Sequence, residues 1–219
     1  LIVPPTNLTG AAGVSLDSLT IGNALVDVLA TVDEGFLVRE KIVKGSMNLV
    51  EMSRSKHLHS LVNSRTEMSG GSAANTAYGL ASLGGKAGFI GKIAADRLGE
   101  SFDKDLANVG VKFFPGVTCQ TEDTGRCLIV VTPDGNRTMN TFLGASEDLS
   151  AREIDQAALL DSEWFYVEGY LVTDEARTAA TQAAVELAKA NDVKVAISLS
   201  DPFVVAVFGN ALRQVISDG

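Results

Sequence analysis

The stretch MSGGSAANTAYGLASLGG, residues 68–85, carries almost no side-chain bulk. Residues 65–68 before it and 86–91 after it read as short strands. Between them the pattern predicts a tight turn at Gly70-Gly71, a helix over about 72–83 and a stop at Gly84-Gly85. Two adjacent glycines have no Cβ, so another group can come close to the backbone there. Ser72 is placed to cap the helix, whose free amides favour polar or anionic ligand atoms. Asn75 falls on nearly the same face of the first turn, and its amide both donates and accepts. A glycine pair that only packs helix on sheet, beside a surface asparagine, fits the same spacing equally well.

Working outward, residues 19–23 form an apolar strand, and 24–30 an apolar run that alternates poorly, as a strand buried on both faces would. Asp27 stands alone as a carboxylate inside that run. A short helix is expected over 34–40, a strand over 47–50 and a helix over 53–62. Asp96 caps a helix over 96–108. Residues 124–131 and 137–142 are strand-like and joined by Pro133-Asp134-Gly135-Asn136, which is hairpin chemistry. Strands over 164–167 and 193–199 alternate with helices over 174–190 and 203–216. From residue 65 onward this alternation predicts an α/β domain with a mainly parallel sheet. The regions 31–50 and 124–142 break it and are expected to leave the main sheet as a small β-layer. Residues 1–16, with Pro4 and Pro5, read as a loosely ordered leader.

The chain of 219 residues can bury a substantial core, and its net charge of −9 argues against a nucleic-acid partner. That balance still leaves room for a local basic pocket taking one small phosphorylated ligand. No apolar run is long enough to span a membrane, and no signal-peptide pattern is seen at the start, so a cytoplasmic protein is expected. On that reading the Asn7-Leu8-Thr9 sequon is fortuitous. Cys119 and Cys127, with only His57 and His59 beside them, are too few for a zinc site and read as reduced, buried thiols. No metal-ligand set is assigned.

Nucleotide-binding glycine motifs fail when tested. Gly85-Lys86 and Gly91-Lys92 lack the following Ser or Thr of a phosphate-binding P-loop. Gly70-Gly71-Ser72 lacks the spacing of a dinucleotide fingerprint, which disfavours an NAD-dependent dehydrogenase. A carboxylate such as Asp27 in an apolar strand is costly unless paired or hydrogen-bonded. Vicinal hydroxyls of a ligand would suit it, although a capping or salt-bridged aspartate is the commoner case. Arg137, just after the hairpin turn, is a solvated arginine by default; folded over a pocket, it could face a phosphate.

In order, Gly22-Asn23-Ala24-Leu25-Val26-Asp27, Ser69-Gly70-Gly71-Ser72-Ala73-Ala74-Asn75-Thr76-Ala77 with Gly84, Gly99 after Asp96, Thr124-Gly125-Arg126, Asp134-Gly135-Asn136-Arg137 and Leu199-Ser200-Asp201-Pro202-Phe203 resemble the ribokinase-like, PfkB-type carbohydrate and nucleoside kinases. One departure is Ala94, where that pattern closes on glycine. The resemblance implies a Rossmann-like α/β/α sandwich with a small β-sheet lid. It also implies ATP with Mg²⁺ and phosphate transfer to a hydroxymethyl group, and it leaves open a monovalent cation. It would have Asp27 and Asn23 hold substrate hydroxyls and Gly70, Gly71 and Asn75 complete the sugar site. Arg137 would act in the lid on the transferred phosphate. The match is strongest to the adenosine-kinase branch and its sugar-kinase neighbours, which makes Leu25, Met47, Leu49 and Phe203 candidates for the base pocket. The partners it implies are a sugar or nucleoside and ATP, in a monomer or a lid-mediated homodimer.

The family's Gly-Ala-Gly-Asp segment, which supplies the general base and an anion hole, does not occur in these 219 residues. Nor does an Asn-x-x-Glu motif follow on a next strand. Phosphoryl transfer depends on positioning and charge stabilisation. These residues are therefore expected to form the acceptor-binding and lid part of a kinase, inactive alone. The alternative is a non-catalytic sugar- or nucleoside-binding protein.

Overall fold

The computed structural model describes residues 16–63 and 65–218. The leader expected over 1–16 and the sequon lie outside them, except that Leu16 already opens the first strand. In chain order the elements begin with β1 (Leu16–Ile21), β2 (Leu25–Thr31), α1 (Glu34–Arg39), β3 (Met47–Leu49), α2 (Met52–Ser60) and β4 (Thr66–Gly70). They continue with α3 (Ser72–Ser82), β5 (Ala87–Ile90), α4 (Arg97–Asn108), β6 (Lys112–Phe114), β7 (Gly125–Val131) and β8 (Arg137–Phe142). Last come α5 (Gln156–Leu160), β9 (Ser162–Val167), α6 (Glu175–Ala190), β10 (Lys194–Ile197) and α7 (Pro202–Asp218).

Two five-stranded sheets divide the strands. The first has the order β10-β9-β1-β5-β6 and every pair in it is parallel. Helices pack on both its faces, as a parallel sheet requires, although Trp164 at the β9–β10 end stays 42% exposed. On one side Phe89 of β5 stacks with Phe102 and Phe113 at centroid distances of 5.7 Å, in the core that α3 and α4 share. On the other, Leu19, Ile21, Phe165 and Val167 pack against α5, α6 and α7. This is the α/β/α sandwich expected. Helix starts are fixed by side chains: Asp96 accepts from the Gly99 amide at 2.8 Å and Asp174 from the Arg177 amide at 3.0 Å. Ala94 is buried where the family pattern has glycine and takes part in a bridge to Cys119. Both cysteines are free and buried. Among the described residues no helix is long and apolar enough to cross a membrane.

The second sheet has the order β3-β8-β7-β2-β4. It corrects the expected small β-layer in two ways. Region 31–50 supplies only β3 to it, since α1 occupies the middle of that region. In addition, β2 and β4 belong here rather than to the main sheet, with Asp27 opposite Met68 in an antiparallel pair. The poor alternation over 24–30 is likewise corrected. Val26, Val28 and Ala30 are buried while Leu25, Asp27 and Leu29 are half-buried, so β2 has one packed and one open face. Strand β6 had no counterpart in the sequence reading; its three residues are too short to show a period.

Candidate active site

The site lies where the carboxyl ends of β1 and β9 meet the open face of the second sheet, the usual ligand position in open α/β sheets. Two residues past β1 is Asn23, and directly after β9 is Glu168. Glu168 is 1% exposed. Its Oε1 accepts from the Asn23 side-chain amide at 2.7 Å and from the Asn23 backbone N–H at 3.3 Å, and its Oε2 accepts from the Ala73 N–H at 2.9 Å. The Asn23 side-chain oxygen, Oδ1, accepts from Arg177 Nη1 at 3.1 Å, and Arg177 is itself buried. Burial pushes the Glu168 pKa up, while its hydrogen-bond donors and the Arg177 charge pull the other way.

This network changes the reading of α3. The residue at its N-cap position is Gly71, at φ +92°, and Ser72 is the first helical residue, with no side-chain cap formed. Glu168 occupies the Ala73 amide instead. A side chain at Gly71 would be strained by that φ and would collide with the Asn23 carbonyl oxygen. Gly70 serves differently: a Cβ there would collide with the Asp27 carboxyl group. Its bareness is therefore room for Asp27, and it does not line the cavity.

A cavity of about 600 Å³ opens above this floor. It is lined by Asn23, Leu25, Asp27, Met47, Leu49, Gly71, Ser72, Asn75, Arg137 and Phe203, which are ten of the eleven positions singled out in the sequence. The sheet explains the convergence. Asp27 pairs with Cys127, and Cys127 with Thr141; Ile129 pairs with Met139, and Met139 with Met47. These two cross-strand rows face the same way. The Asp27 carboxylate is half-buried and accepts no hydrogen bond from the described residues. Burial lifts its pKa to about 6, with the Arg137 charge drawing it down. Behind it, burial pushes the Cys127 thiol up to about 12, and Thr141 donates to its sulfur at 3.3 Å. Leu49 and Phe203 stand half-exposed at the mouth.

Sequence reasoning missed Glu168, Arg177, Tyr170 and Thr173, and the inward row of Cys127, Ile129, Met139 and Thr141. Glu168 carried the signal that singled out Asp27, a carboxylate beside an apolar strand. The inward row was readable from the alternation of the hairpin. Arg177 showed no local signal. Among the described residues no group of three or more His, Cys, Asp or Glu could hold a metal ion.

Comparison with known proteins fits this geometry. Residues 41–218 match the family model described as pfkB family carbohydrate kinase. Adenosine kinase 2 of Arabidopsis thaliana is 26% identical over 204 residues, covering 87% of this chain and 56% of that protein. The crystal structure of adenosine kinase from Sinorhizobium meliloti superposes with a TM-score of 0.86 at 40% identity, covering 92% of this chain and 62% of that one. A probable sugar kinase from Rhizobium etli CFN 42 gives a TM-score of 0.85 at 36% identity, covering 90% and 60%. The chain thus spans about 60% of the length of the relatives it matches. It belongs to the pfkB family of carbohydrate kinases, on the adenosine-kinase-like side.

Proposed function

We propose that these residues form the acceptor-binding part of a kinase that transfers the γ-phosphate of ATP to a hydroxymethyl group of a ribose-containing compound. Adenosine is the first choice and a free sugar the next. The observation that carries this reading is Asp27, a carboxylate aimed into a cavity of nucleoside size with no hydrogen-bond donor among the described residues. Two vicinal hydroxyls donating to it would supply what the protein withholds. Gly71 lets a sugar ring lie against backbone, and Asn75 offers both a donor and an acceptor. Leu25, Met47, Leu49, Ile129, Met139 and Phe203 form an apolar wall suited to a purine. Asn23, gripped by Glu168 and Arg177, positions the floor more than it grips a hydroxyl. Arg137, on the second sheet, would meet the transferred phosphate when that sheet closes as a lid.

ATP with Mg²⁺ is the proposed donor, as for kinases of this family. The described residues supply no cluster for the metal, so no metal step is assigned to them. The general base is placed outside these 219 residues, which on this reading bind acceptor without turning it over.

Calorimetric titration with adenosine, ribose and fructose tests the reading. Adenosine should bind, and Asp27→Ala should weaken it at least 100-fold, since two hydrogen bonds to a charged group are worth about 3 kcal/mol together. Unchanged affinity in that variant would remove the role given to Asp27. Acceptor-dependent ADP release by the same 219 residues would overturn the placement of the base.

A further inference from the structure

A second cavity, of about 280 Å³, lies on the face of the second sheet turned away from Asp27. Arg126 pairs with Val26 and Glu67 with Val28, so both point backward while Asp27 and Cys127 point into the cleft. Helix α2 adds Lys56 and His59, the approach to β4 adds Arg65, and α4 opens with Arg97. Four of the chain's 18 Lys and Arg residues thus meet at one cavity, in a chain of net charge −9.

The nearby carboxylates are Glu67, Asp123 and Asp96, the last acting on Arg126 through its charge while accepting hydrogen bonds from Thr124 and Gly99. Glu67 lies 2.9 Å from Arg97 and 3.4 Å from Arg65; Asp123 lies 3.4 Å from Lys56 and 3.9 Å from Arg126 Nη2, beyond hydrogen-bond reach. Three carboxylates against four cations still leave a surplus of positive charge. Two polar atoms here are also without hydrogen-bond partners among the described residues: Arg126 Nη2 and His59 Nε2, both buried. Arg126 cannot swing away to water, because its Nε donates to Ser55 Oγ at 2.9 Å and its guanidinium lies 5.7 Å from the Phe142 ring centroid. Leaving such buried groups unsatisfied is costly. One acceptor in this cavity would satisfy both, with His59 in the tautomer protonated at Nε2.

We propose that this cavity binds a phosphate-type oxyanion. Arg126 and His59 hold it at the floor, and the more exposed Arg65, Arg97 and Lys56 surround it at the rim. A guanidinium with one free edge matches an oxyanion better than a compact ammonium does.

The chain has only two histidines, so each gives a separate imidazole NMR signal. The test is a titration of inorganic phosphate at constant ionic strength, with chloride as the balancing ion. His59 should shift saturably, since an anion would oppose the burial and the Arg126 charge that hold its pKa down to about 4. His57 should move little. Arg65→Ala/Arg97→Ala, altering exposed side chains, should weaken binding at least tenfold, whereas Arg137→Ala in the main cleft should leave it intact. Methyl phosphate as a second probe tells a free ion from an esterified one: a response to either supports the site and names its source. A silent His59 with both probes, an equal shift in the double variant, or a chloride titration that reproduces the shift would overturn the proposal.

Discussion

In the first sheet β5 is buried along its whole length, and Leu19 and Ile21 of β1 and Phe165 and Val167 of β9 are fully enclosed. In the second sheet β2 alternates, with every second residue turned to an open cleft. Both sheets have five strands, but only the second has an uncovered face that lines the main cavity; the first is left open at its β9–β10 end, where Trp164 is 42% exposed. The parallel sheet spends most of its surface on packing and contributes to the site through residues that follow its strands, among them Asn23, Glu168 and Phe203. The mixed sheet spends one face on the core and keeps the other for chemistry. Strand composition alone therefore does not decide which strands carry a site; the covering helices do.

Three substitutions would break or sharpen this contrast. The largest effect should come from Phe165→Ala, in the middle of the first sheet. Emptying that space should cost about 3–5 kcal/mol in urea unfolding. If the first sheet is purely structural, acceptor affinity of the folded fraction should not change; a binding loss larger than the stability loss would blur the division.

Next comes Asp27→Asn, with the opposite sign. The Asp27 pKa is raised from 3.8 to about 6 in the folded chain, so folding takes up a proton between those values. Its contribution favours folding below about pH 4, fades as the pH rises toward 6 and remains a penalty above that. The asparagine variant should therefore be more stable than the parent by up to about 3 kcal/mol at pH 8, and nearly equal to it at pH 4. Equal stability at both pH values would mean that the open face carries no such strain.

The smallest effect should come from Gly71→Ala, at the joint between the sheets. A non-glycine residue at that φ costs about 1–2 kcal/mol, and the contact with the Asn23 carbonyl oxygen should disturb the acceptor site beyond that. Thermal melts and adenosine titration read the two parts separately. A melt unchanged from the parent would show that the turn relaxes.

Much of this was legible in the sequence. The glycine–asparagine stretch, the hairpin turn and the Asp96 cap are local signals, and each led to the right element. Ten of the eleven candidate residues meet at one cavity because the motif order reflects one surface. Gly70 was chosen correctly as a place of close approach, but what approaches is Asp27 of the neighbouring strand. The assignment of β2 and β4 to a sheet was not legible, because a strand's partner is set by contacts remote in sequence. The cap of α3 was misread for the same reason. Ser72 was adjacent, yet the acceptor for the Ala73 amide comes from Glu168, 95 positions away along the chain. Arg177, in the first turn of the alanine-rich helix α6, gave no local sign that it would be buried against Asn23.

The raised pKa of Asp27 has a consequence for the proposed binding event itself. Near pH 6 about half of the empty molecules hold a proton on that carboxyl group. A hydroxylated acceptor needs the ionised form, so capturing it would expel that proton into solution. Occupancy of the cleft would then be an acid-releasing step, and its measured heat would depend on which buffer takes up the proton.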